Sequence, residues 1–377
     1  MPVLQSTSLP MDLHRRLALT PVINAAGTFT PLGVSRSPAS VREAAAEALG
    51  EFVMIEELQQ RAGAAIAGWT GSEAGAVAHC VAGAITMAIA AAIAGEDPQA
   101  VAALPDVGDR PRHVLLPAGH AVDYGHPIVQ DIRLAGGIPR LVGSDHECSI
   151  AQLEAALAEG DIACLLLVSS RLVRGAPLEL GAAVAAAHRH GVPAFIDGAA
   201  QDMRLPELLA TGADLVFASG QKYLASPTAG LVAGRDRWVR AFRAQERGIG
   251  RAMKPSKEAI VGLIAAIEER RTLDIGQWSK RQAAKVEDFV ARCAGLPGVE
   301  PWMQADPSGM PFPRAHLRIG SDARLDATRL AAALADGVPS IRVMTHRLGE
   351  GELVLELVPL EPAEIDAIVE ALAGLLG

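Results

Sequence analysis

Short apolar runs and amphipathic runs alternate along the chain from about residue 55 to residue 220. The apolar runs are typical of strands buried on both faces of a sheet, and the runs between them have helical spacing. The strand-like runs are AGAVAH (74–79), HVLLPAG (113–119), IPRLVG (138–143), DIACLLLVSS (161–170), VPAFIDGA (192–199) and ADLVFASG (213–220). This alternation predicts an α/β domain with a mostly parallel sheet covered by helices.

The pattern changes near both ends of the chain. Residues 20–38 are rich in Gly, Pro and Ser, residues 256–295 have the spacing of long helices, and strands and helices then alternate in an α+β pattern up to residue 377. Three regions are therefore expected: an N-terminal arm (1–50), a large domain (51–260), and linking helices with a small C-terminal domain (261–377).

Composition and charge exclude several classes of protein. Hydrophobic residues make up 50% of the chain, which indicates a well-filled core, and the net charge of −9 argues against a nucleic-acid partner. Residues 74–95 are apolar but rich in Ala and Gly, so they favour a strand entering a buried helix over a membrane span. The N-terminus lacks the pattern of a signal peptide. Four scattered cysteines predict reduced thiols, no metal site and a cytoplasmic location.

The candidate chemistry lies at the ends of the predicted strands, where ligands of open α/β sheets bind. Lys222 follows an apolar strand inside a loop of small residues, and Ser219 lies three residues before it. Asp197 ends the preceding strand, while His120 and Tyr124 follow an earlier one. Each has an ordinary alternative, such as a surface lysine, a turn-capping aspartate or a histidine bonded to a loop.

Taken together, the same residues suit pyridoxal phosphate. A lysine holds the aldehyde of this cofactor as a Schiff base, and a carboxylate keeps its ring nitrogen protonated. The helix that begins after Ala78 offers free N–H groups to a phosphate, and Ser219 can add one more hydrogen bond.

Four longer stretches carry a resemblance to a known family: VINAAGTFTPLGVSR (22–36), GHAVDYGHPIVQDIRLAGG (119–137), the DGAAQ segment (197–201) with GADLVFASGQKYLASPTAGLVAGR (212–235), and GIGRAMKPSKEAIVGLIAAIE (248–268). With these the chain resembles fold-type-I pyridoxal phosphate enzymes, which are aspartate aminotransferase-like, and within them the selenocysteine synthase-like group that includes D-glucosaminate-6-phosphate ammonia-lyase.

The resemblance implies a role for each matching residue. Lys222 would be the Schiff-base lysine, Asp197 the pyridinium partner, and His120 the residue over the cofactor ring. The other cofactor-binding positions would be His79, Cys80, Val81, Ala82, Ser219 and Gln201. The substrate-binding positions would be Arg251, Thr28, Arg36 and Arg342, with Arg347 as the alternative to Arg342.

The cofactor does not fix the chemistry, and β-elimination is the first of several reactions that stay open. Lys222 would take the α-proton of a β-hydroxy or sugar amino acid, His120 or Tyr124 would act as the acid, and β-elimination would give a 2-keto acid and ammonia. An aldolase or racemase of a β-hydroxy amino acid stays open, as do selenium transfer on aminoacyl-tRNA and a non-enzymatic pyridoxal phosphate-binding regulator. A homodimer or a higher even oligomer is expected, in which the N-terminal arm or residues 248–257 reach a neighbouring site.

Overall fold

The computed structural model describes residues 13–377, so the expectations about the first twelve residues lie outside the described part of the chain. The chain divides into two compact units. The large unit comprises residues 35–273, and the small unit comprises residues up to 34 together with 274–377. Among the described residues, no helix combines the length and the apolar character that crossing a membrane requires.

Strands and helices follow the order that the sequence predicts in the large unit. Within the described residues, the strands are β1 (Val22–Ala25), β2 (Ala74–Ala78), β3 (His113–Pro117), β4 (Ile138–Val142), β5 (Ile162–Val168), β6 (Ala194–Asp197), β7 (Leu215–Ser219), β8 (Gly230–Gly234), β9 (Val299–Ala305), β10 (Pro313–Ile319), β11 (Ser340–Val343) and β12 (Glu352–Leu355). The α-helices in the same range are α1 (Leu13–Leu17), α2 (Ala39–Gly50), α3 (Ile55–Thr70), α4 (Val81–Ala94), α5 (Pro98–Ala103), α6 (Ile128–Leu134), α7 (Ile150–Ala158), α8 (Leu180–Arg189), α9 (Leu205–Ala210), α10 (Asp236–Ala244), α11 (Lys257–Thr272), α12 (Ile275–Cys293), α13 (Ala327–Asp336) and α14 (Pro362–Leu376).

The large unit is built on a seven-stranded sheet with the order β2-β8-β7-β6-β5-β3-β4. The sheet is parallel except for β8, which runs antiparallel to both of its neighbours. Two apolar cores cover the two faces, and consecutive strand residues alternate between them, as Val216 and Phe217 do. Helix α4 fills much of one core because it is apolar on nearly every side. The expected mostly parallel α/β architecture is confirmed.

Strand β8 was not predicted, although it belongs to the site. Residues 230–234, GLVAG, begin and end with glycine, so the sequence suggested a continuation of the small-residue loop. All five residues are buried between β2 and β7. The backbone of β8 therefore pairs with both β2 and β7 and holds the ends of these two strands side by side.

The small unit has the expected α+β composition. Strands β12, β10 and β9 form an antiparallel sheet, and β1 pairs in parallel with β11. Its core includes Phe289 of α12, Leu330 of α13 and Leu372 of α14.

The observed division differs from the expected boundaries at 50 and 260. The expected arm is split, because β1 buries Ile23 and Ala25 within the small unit while α2 packs against α11 of the large unit. Helix α11 also stays with the large unit throughout, since it buries Ile260 and Leu263 in one of the two large-unit cores. Helical spacing alone does not reveal which core a helix completes.

Candidate active site

Six neighbouring strands, β2, β8, β7, β6, β5 and β3, bring the predicted site residues to one edge of the sheet. Ala78 of β2 and Ser219 of β7 both pair with Gly230 of β8. Asp197 of β6 pairs with Phe217 on one side and with Val168 on the other. The turn that contains His120 follows β3 directly. The expected convergence of these positions is therefore present in the large unit.

A turn between β2 and α4 forms the first wall of the site. Helix α4 begins after Cys80, and no side chain caps its N-terminus, so its first backbone N–H groups have no partner within the helix. The neighbouring strand lies very close: a Cβ atom on Gly230 would stand 2.6 Å from the carbonyl carbon of Cys80. The N–H of His79 donates to the carbonyl of Met253 at 2.7 Å, while the His79 residue is exposed. The turn thus has the uncapped donors and close packing that suit a phosphate.

Asp197 supplies a carboxylate that is almost entirely removed from solvent. It is 5% exposed, and its Oδ1 accepts a hydrogen bond from the N–H of Ala199 at 2.9 Å. Burial raises the pKa of Asp197, and the positive charge of Lys222 opposes this shift. A protonated ring nitrogen requires a buried carboxylate beside it. A nearby positive charge, here that of Lys222, favours the ionised form of such a carboxylate.

Lys222 is half-buried, and its environment favours the neutral amine more than water does. Burial lowers its pKa, the carboxylate of Asp197 opposes this effect, and the charge of Arg171 lowers the pKa further. Arg171 follows β5 and was not predicted from the sequence. A lysine with a lowered pKa can serve as a nucleophile and as a base.

The loop that carries Lys222 is fixed by its own backbone. Lys222 N–H donates to the carbonyl of Ser219 at 3.2 Å, and Ser226 N–H donates to that of Gly220 at 2.9 Å. A side chain at position 220 has no room, since its Cβ would lie 2.3 Å from the Ser226 hydroxyl oxygen. The small residues around the lysine therefore allow the tight packing of this loop.

A buried ion pair supports the same loop and was missed in the sequence. Arg270 of α11 donates to the carboxylate of Asp202 at 2.6 Å and to the carbonyl of Tyr223 at 2.7 Å. Both charged side chains are buried, as is the predicted site residue Gln201. No sequence spacing links Asp202 to Arg270, so the sequence did not predict this ion pair. Only the fold shows that Tyr223, the residue after Lys222, accepts a hydrogen bond from α11.

His120 is held as a neutral ring. It is buried, and Val168 N–H donates to its Nδ1 at 2.9 Å, so the hydrogen of the neutral ring lies on Nε2. Burial lowers the pKa of His120 to about 4. This environment disfavours the expected role of His120 as an acid near neutral pH, and its placement over the cofactor ring stays a prediction.

Tyr124 is likewise poorly suited to release a proton. Its hydroxyl donates to Asp131 Oδ2, while Nε2 of His126 lies 2.7 Å from Asp131 Oδ1. Burial and the charge of Asp131 raise the pKa of Tyr124 above its ordinary range. Asp131 was not among the predicted site residues, because its distance along the sequence from Tyr124 carries no recognisable signal.

The predicted substrate-binding residues are divided between the two units. In the large unit, Arg251 is exposed in the segment that reaches the β2–α4 turn through Met253. Arg36 follows Ser35, whose hydroxyl donates to the carbonyl of Gln221 at 2.5 Å.

The small unit contains the other candidates. Thr28 lies three residues after β1, and Arg342 lies on β11, where its Nε donates to the Ser340 hydroxyl at 2.9 Å. Arg347, the alternative candidate, forms ion pairs with Glu350 and Glu352. Carboxylates therefore already engage Arg347.

Known proteins resemble the chain over almost its entire length, although no protein-family model matches it. D-glucosaminate-6-phosphate ammonia lyase from Salmonella typhimurium is 34% identical, and the match covers 96% of this chain and 97% of the relative. A solved structure of D-glucosaminate-6-phosphate ammonia-lyase superposes with a TM-score of 0.87 at 33% identity, covering 97% of this chain and 98% of the other.

A second relative has a different activity in its name. The 5'-C-glycyluridine monooxygenase-decarboxylase from Streptomyces sp is 35% identical, with 96% of this chain and 92% of the relative covered. An alanine–glyoxylate aminotransferase from Nostoc sp. shares the fold alone, with a TM-score of 0.61 at 17% identity, covering 97% of this chain and 100% of the other. With this fold and these full-length relatives, the chain belongs to the family of D-glucosaminate-6-phosphate ammonia lyase, within the fold-type-I pyridoxal phosphate enzymes.

Proposed function

We propose that the protein is a pyridoxal phosphate-dependent lyase that acts on a β-hydroxy or sugar amino acid and releases a 2-keto acid and ammonia. The observation that carries this proposal is that buried Asp197 at the end of β6 and the Ser219–Lys222 turn after β7 lie at the same edge of the sheet as the uncapped N-terminus of α4. The ammonia lyase in the same family acts, by its name, on a sugar amino acid.

The residues of the large unit fit this cofactor. The backbone N–H groups of Val81 and Ala82 would hold its phosphate, and Gly230 leaves no side chain in the way of the turn. Asp197 would pair with its ring nitrogen, and Lys222 would hold its aldehyde. When bound, pyridoxal phosphate supplies an electron sink that makes the α-proton of an amino acid acidic.

Lys222 carries both proton transfers in this proposal. Once the substrate's amino group has taken its place at the cofactor, Lys222 is a free amine with a lowered pKa, and it takes the α-proton and becomes an ammonium group. The ammonium group then gives a proton to the β-hydroxyl as the carbon–oxygen bond breaks, so water leaves. Hydrolysis of the unsaturated amino product gives the 2-keto acid and ammonia. This route needs no acid from His120 or Tyr124, whose environments disfavour that role.

The remaining side chains would orient the reactants. His120 would lie against the cofactor ring as a neutral imidazole, because Val168 fixes its Nδ1. Arg251 and Arg36 are the cations of the large unit that we propose for the substrate's carboxylate or phosphate group. Thr28 and Arg342 stay predictions for the same task.

A second candidate function is oxidative decarboxylation of an amino acid attached to a nucleoside. The monooxygenase-decarboxylase relative is as similar in sequence to this chain as the ammonia lyase is. Both names denote an amino acid unit on a sugar carbon chain, so the substrate class is similar although the reaction differs. Oxygen uptake and carbon dioxide release would identify this second reaction, whereas elimination gives a 2-keto acid and ammonia with no oxygen uptake and no carbon dioxide.

The proposal is tested by borohydride reduction of the purified protein with pyridoxal phosphate. The cofactor should become fixed to Lys222, as peptide mapping would show, and Lys222→Ala should abolish this labelling. Asp197→Asn should retain labelling but lose about 10²-fold or more in ammonia release from D-glucosaminate-6-phosphate or another β-hydroxy amino acid. Absence of labelling in the reconstituted wild type would refute the proposal. Formation of an aldehyde, or inversion without ammonia, would instead identify an aldolase or a racemase.

We also propose that the active form is a homodimer or a larger even oligomer. An apolar surface segment supports this assembly: Leu49, Phe52 and Met54 are 62%, 105% and 68% exposed. Clustered exposure of large apolar side chains is characteristic of a surface that another protein covers. Closed two-fold symmetry is the commonest arrangement for such contacts.

A further inference from the structure

A hydrogen-bonded cluster of three side chains lies beside the proposed site and has no role in the function described so far. Tyr124 is on the loop after β3, and Asp131 is on α6. Asp131 is 1% exposed and uses both carboxylate oxygens: Oδ2 accepts from the Tyr124 hydroxyl, and Oδ1 lies 2.7 Å from Nε2 of His126. The cluster therefore connects a half-exposed histidine to a tyrosine through a buried carboxylate.

The contacts of His126 favour its charged form. Nδ1 lies 3.0 Å from the side-chain oxygen of Gln130, and Nε2 faces Asp131, so both ring nitrogens meet acceptors. Burial lowers the pKa of His126, but its hydrogen bonds and the charges of Asp131 and Asp123 outweigh this effect, and the pKa is raised. Burial raises the pKa of Asp131, and the hydrogen bonds from Tyr124 and His126 together with the charge of His126 oppose this shift and favour the carboxylate.

An ionised Asp131 determines what the Tyr124 hydroxyl can do. The phenol stays neutral, and its hydrogen is committed to the carboxylate. The phenolic oxygen can therefore only accept a further hydrogen bond. The cluster adjoins the positions proposed for the cofactor, because Tyr124 follows the turn that contains His120, and the hydroxyl of Thr86 on α4 donates to the carbonyl of Asp131 at 3.3 Å.

We propose that Tyr124, Asp131 and His126 form a recognition unit for the substrate's hydroxyl group, in which Tyr124 accepts a hydrogen bond from the hydroxyl next to the α-carbon. Asp131 is a positioning residue that orients the phenol, and His126 keeps Asp131 charged. This inference rests on the proposed function and narrows its substrate class to amino acids with a hydroxyl on the β-carbon. An analogue without the hydroxyl leaves the oriented acceptor without a partner and is disfavoured.

The first test measures the cluster in the full-length protein and does not depend on catalysis. The chain has two tyrosines, so Tyr223→Phe leaves Tyr124 as the only phenol. Ultraviolet difference titration should show Tyr124 ionising well above the ordinary phenol pKa of about 10. Asp131→Asn, checked by circular dichroism for folding, should move this transition to lower pH. An unchanged transition would overturn the proposed coupling.

The second test measures selectivity for the hydroxyl group. The probes are serine and alanine, and the readout is exchange of their α-hydrogen in deuterated water by the enzyme with pyridoxal phosphate. The wild type should prefer serine, and Tyr124→Phe and Asp131→Asn should each reduce the serine-to-alanine ratio about tenfold. His126→Gln should reduce the ratio mainly at the pH values where His126 is charged in the wild type.

A matched control is the exposed pair of His113 and Asp161, whose atoms are 2.8 Å apart at the opposite end of β3. His113→Gln should leave the ratio unchanged. An equal loss of exchange for serine and alanine in Tyr124→Phe would show a merely structural role and overturn the proposal. Failure of both amino acids to exchange in the wild type would instead count against the proposed function, and the titration would still decide whether the cluster exists.

Discussion

At the level of single residues, partners from distant parts of the chain decide the charge of each candidate group. His120 and Tyr124 were both expected to donate a proton, because their side chains titrate and follow a strand end. The structure gives His120 a backbone donor at Nδ1 and gives Tyr124 a carboxylate acceptor. Hydrogen bonds and burial of this kind set the protonation state more strongly than the residue type does.

The neutral state of His120 should appear in the pH dependence of stability. The unfolded chain binds a proton at this histidine below about pH 6.5, whereas the folded chain binds it only near its pKa of about 4. The unfolded state thus holds more protons between these values, so the free energy of unfolding should fall as the pH falls, by about 3 kcal/mol at most from this residue.

Urea unfolding at pH about 7 and about 5 checks this expectation, with a loss of about 2 kcal/mol attributable to His120. His120→Gln should show a correspondingly smaller loss than the wild type. His113→Gln is the control and should follow the wild type, because His113 lies on the surface. A wild-type loss that persists in His120→Gln would contradict the buried, neutral assignment.

At the level of elements, the loop between β7 and β8 depends on a helix that lies far away in the sequence. Arg270 of α11 connects Asp202 to the carbonyl of Tyr223, the residue next to Lys222. Removing one partner of a buried pair leaves the other charge without compensation, which costs about 3–5 kcal/mol. The position of Lys222 therefore depends on the packing of α11 as well as on its own loop.

We expect Arg270→Met to lower the free energy of unfolding by about 3–5 kcal/mol and to slow labelling of Lys222 by borohydride. The double variant with Asp202→Asn should recover part of the stability, because no buried charge is then left alone. The control is Arg110→Met, which removes an exposed pair with Asp97 and should cost no more than about 1 kcal/mol. Similar losses in Arg270→Met and Arg110→Met, measured by denaturant unfolding, would contradict the proposed support of the loop.

At the level of the whole molecule, the apolar segment between α2 and α3 is held firmly while its side chains face solvent. Lys257 donates to the carbonyls of Leu49 and Glu51, and the guanidinium of Arg243 makes two hydrogen bonds of 2.9 and 2.8 Å to Glu56. Phe52 lies between these anchors and is completely exposed. A well-anchored apolar surface of this kind suits contact with a second copy of the chain.

We expect sedimentation at assay concentration to show a dimer or a larger even oligomer. The double variant Phe52→Ser and Met54→Ser should shift the protein toward the monomer, because it removes apolar area from the proposed contact. Val338→Ser is the control, since Val338 is 83% exposed on the small unit and should not affect assembly. A wild-type monomer with full activity would refute the proposed assembly.

The sequence by itself determined the type and order of most elements of the large unit, because strand and helix spacing depend on neighbouring residues. It also indicated Asp197, Ser219 and Lys222 as one group, since parallel strands bring their carboxyl ends to the same edge. The sequence did not determine which unit the elements near the two ends of the chain join. Packing partners decide whether β1 and α11 complete the core of the small or the large unit. The partner of β1 is β11, which lies hundreds of residues further along the chain.

The tertiary structure alone decided how the site residues are charged and supported. Val168 meets His120, Arg270 meets Asp202, and Asp131 meets Tyr124 through contacts that no local pattern encodes. Burial then changes the free energy of each ionised group, which lowers the pKa of Lys222 and His120 and raises that of Asp197. Residue type is a property of the chain, whereas protonation depends on solvent exclusion and on neighbouring charges, and these exist only once the chain has folded.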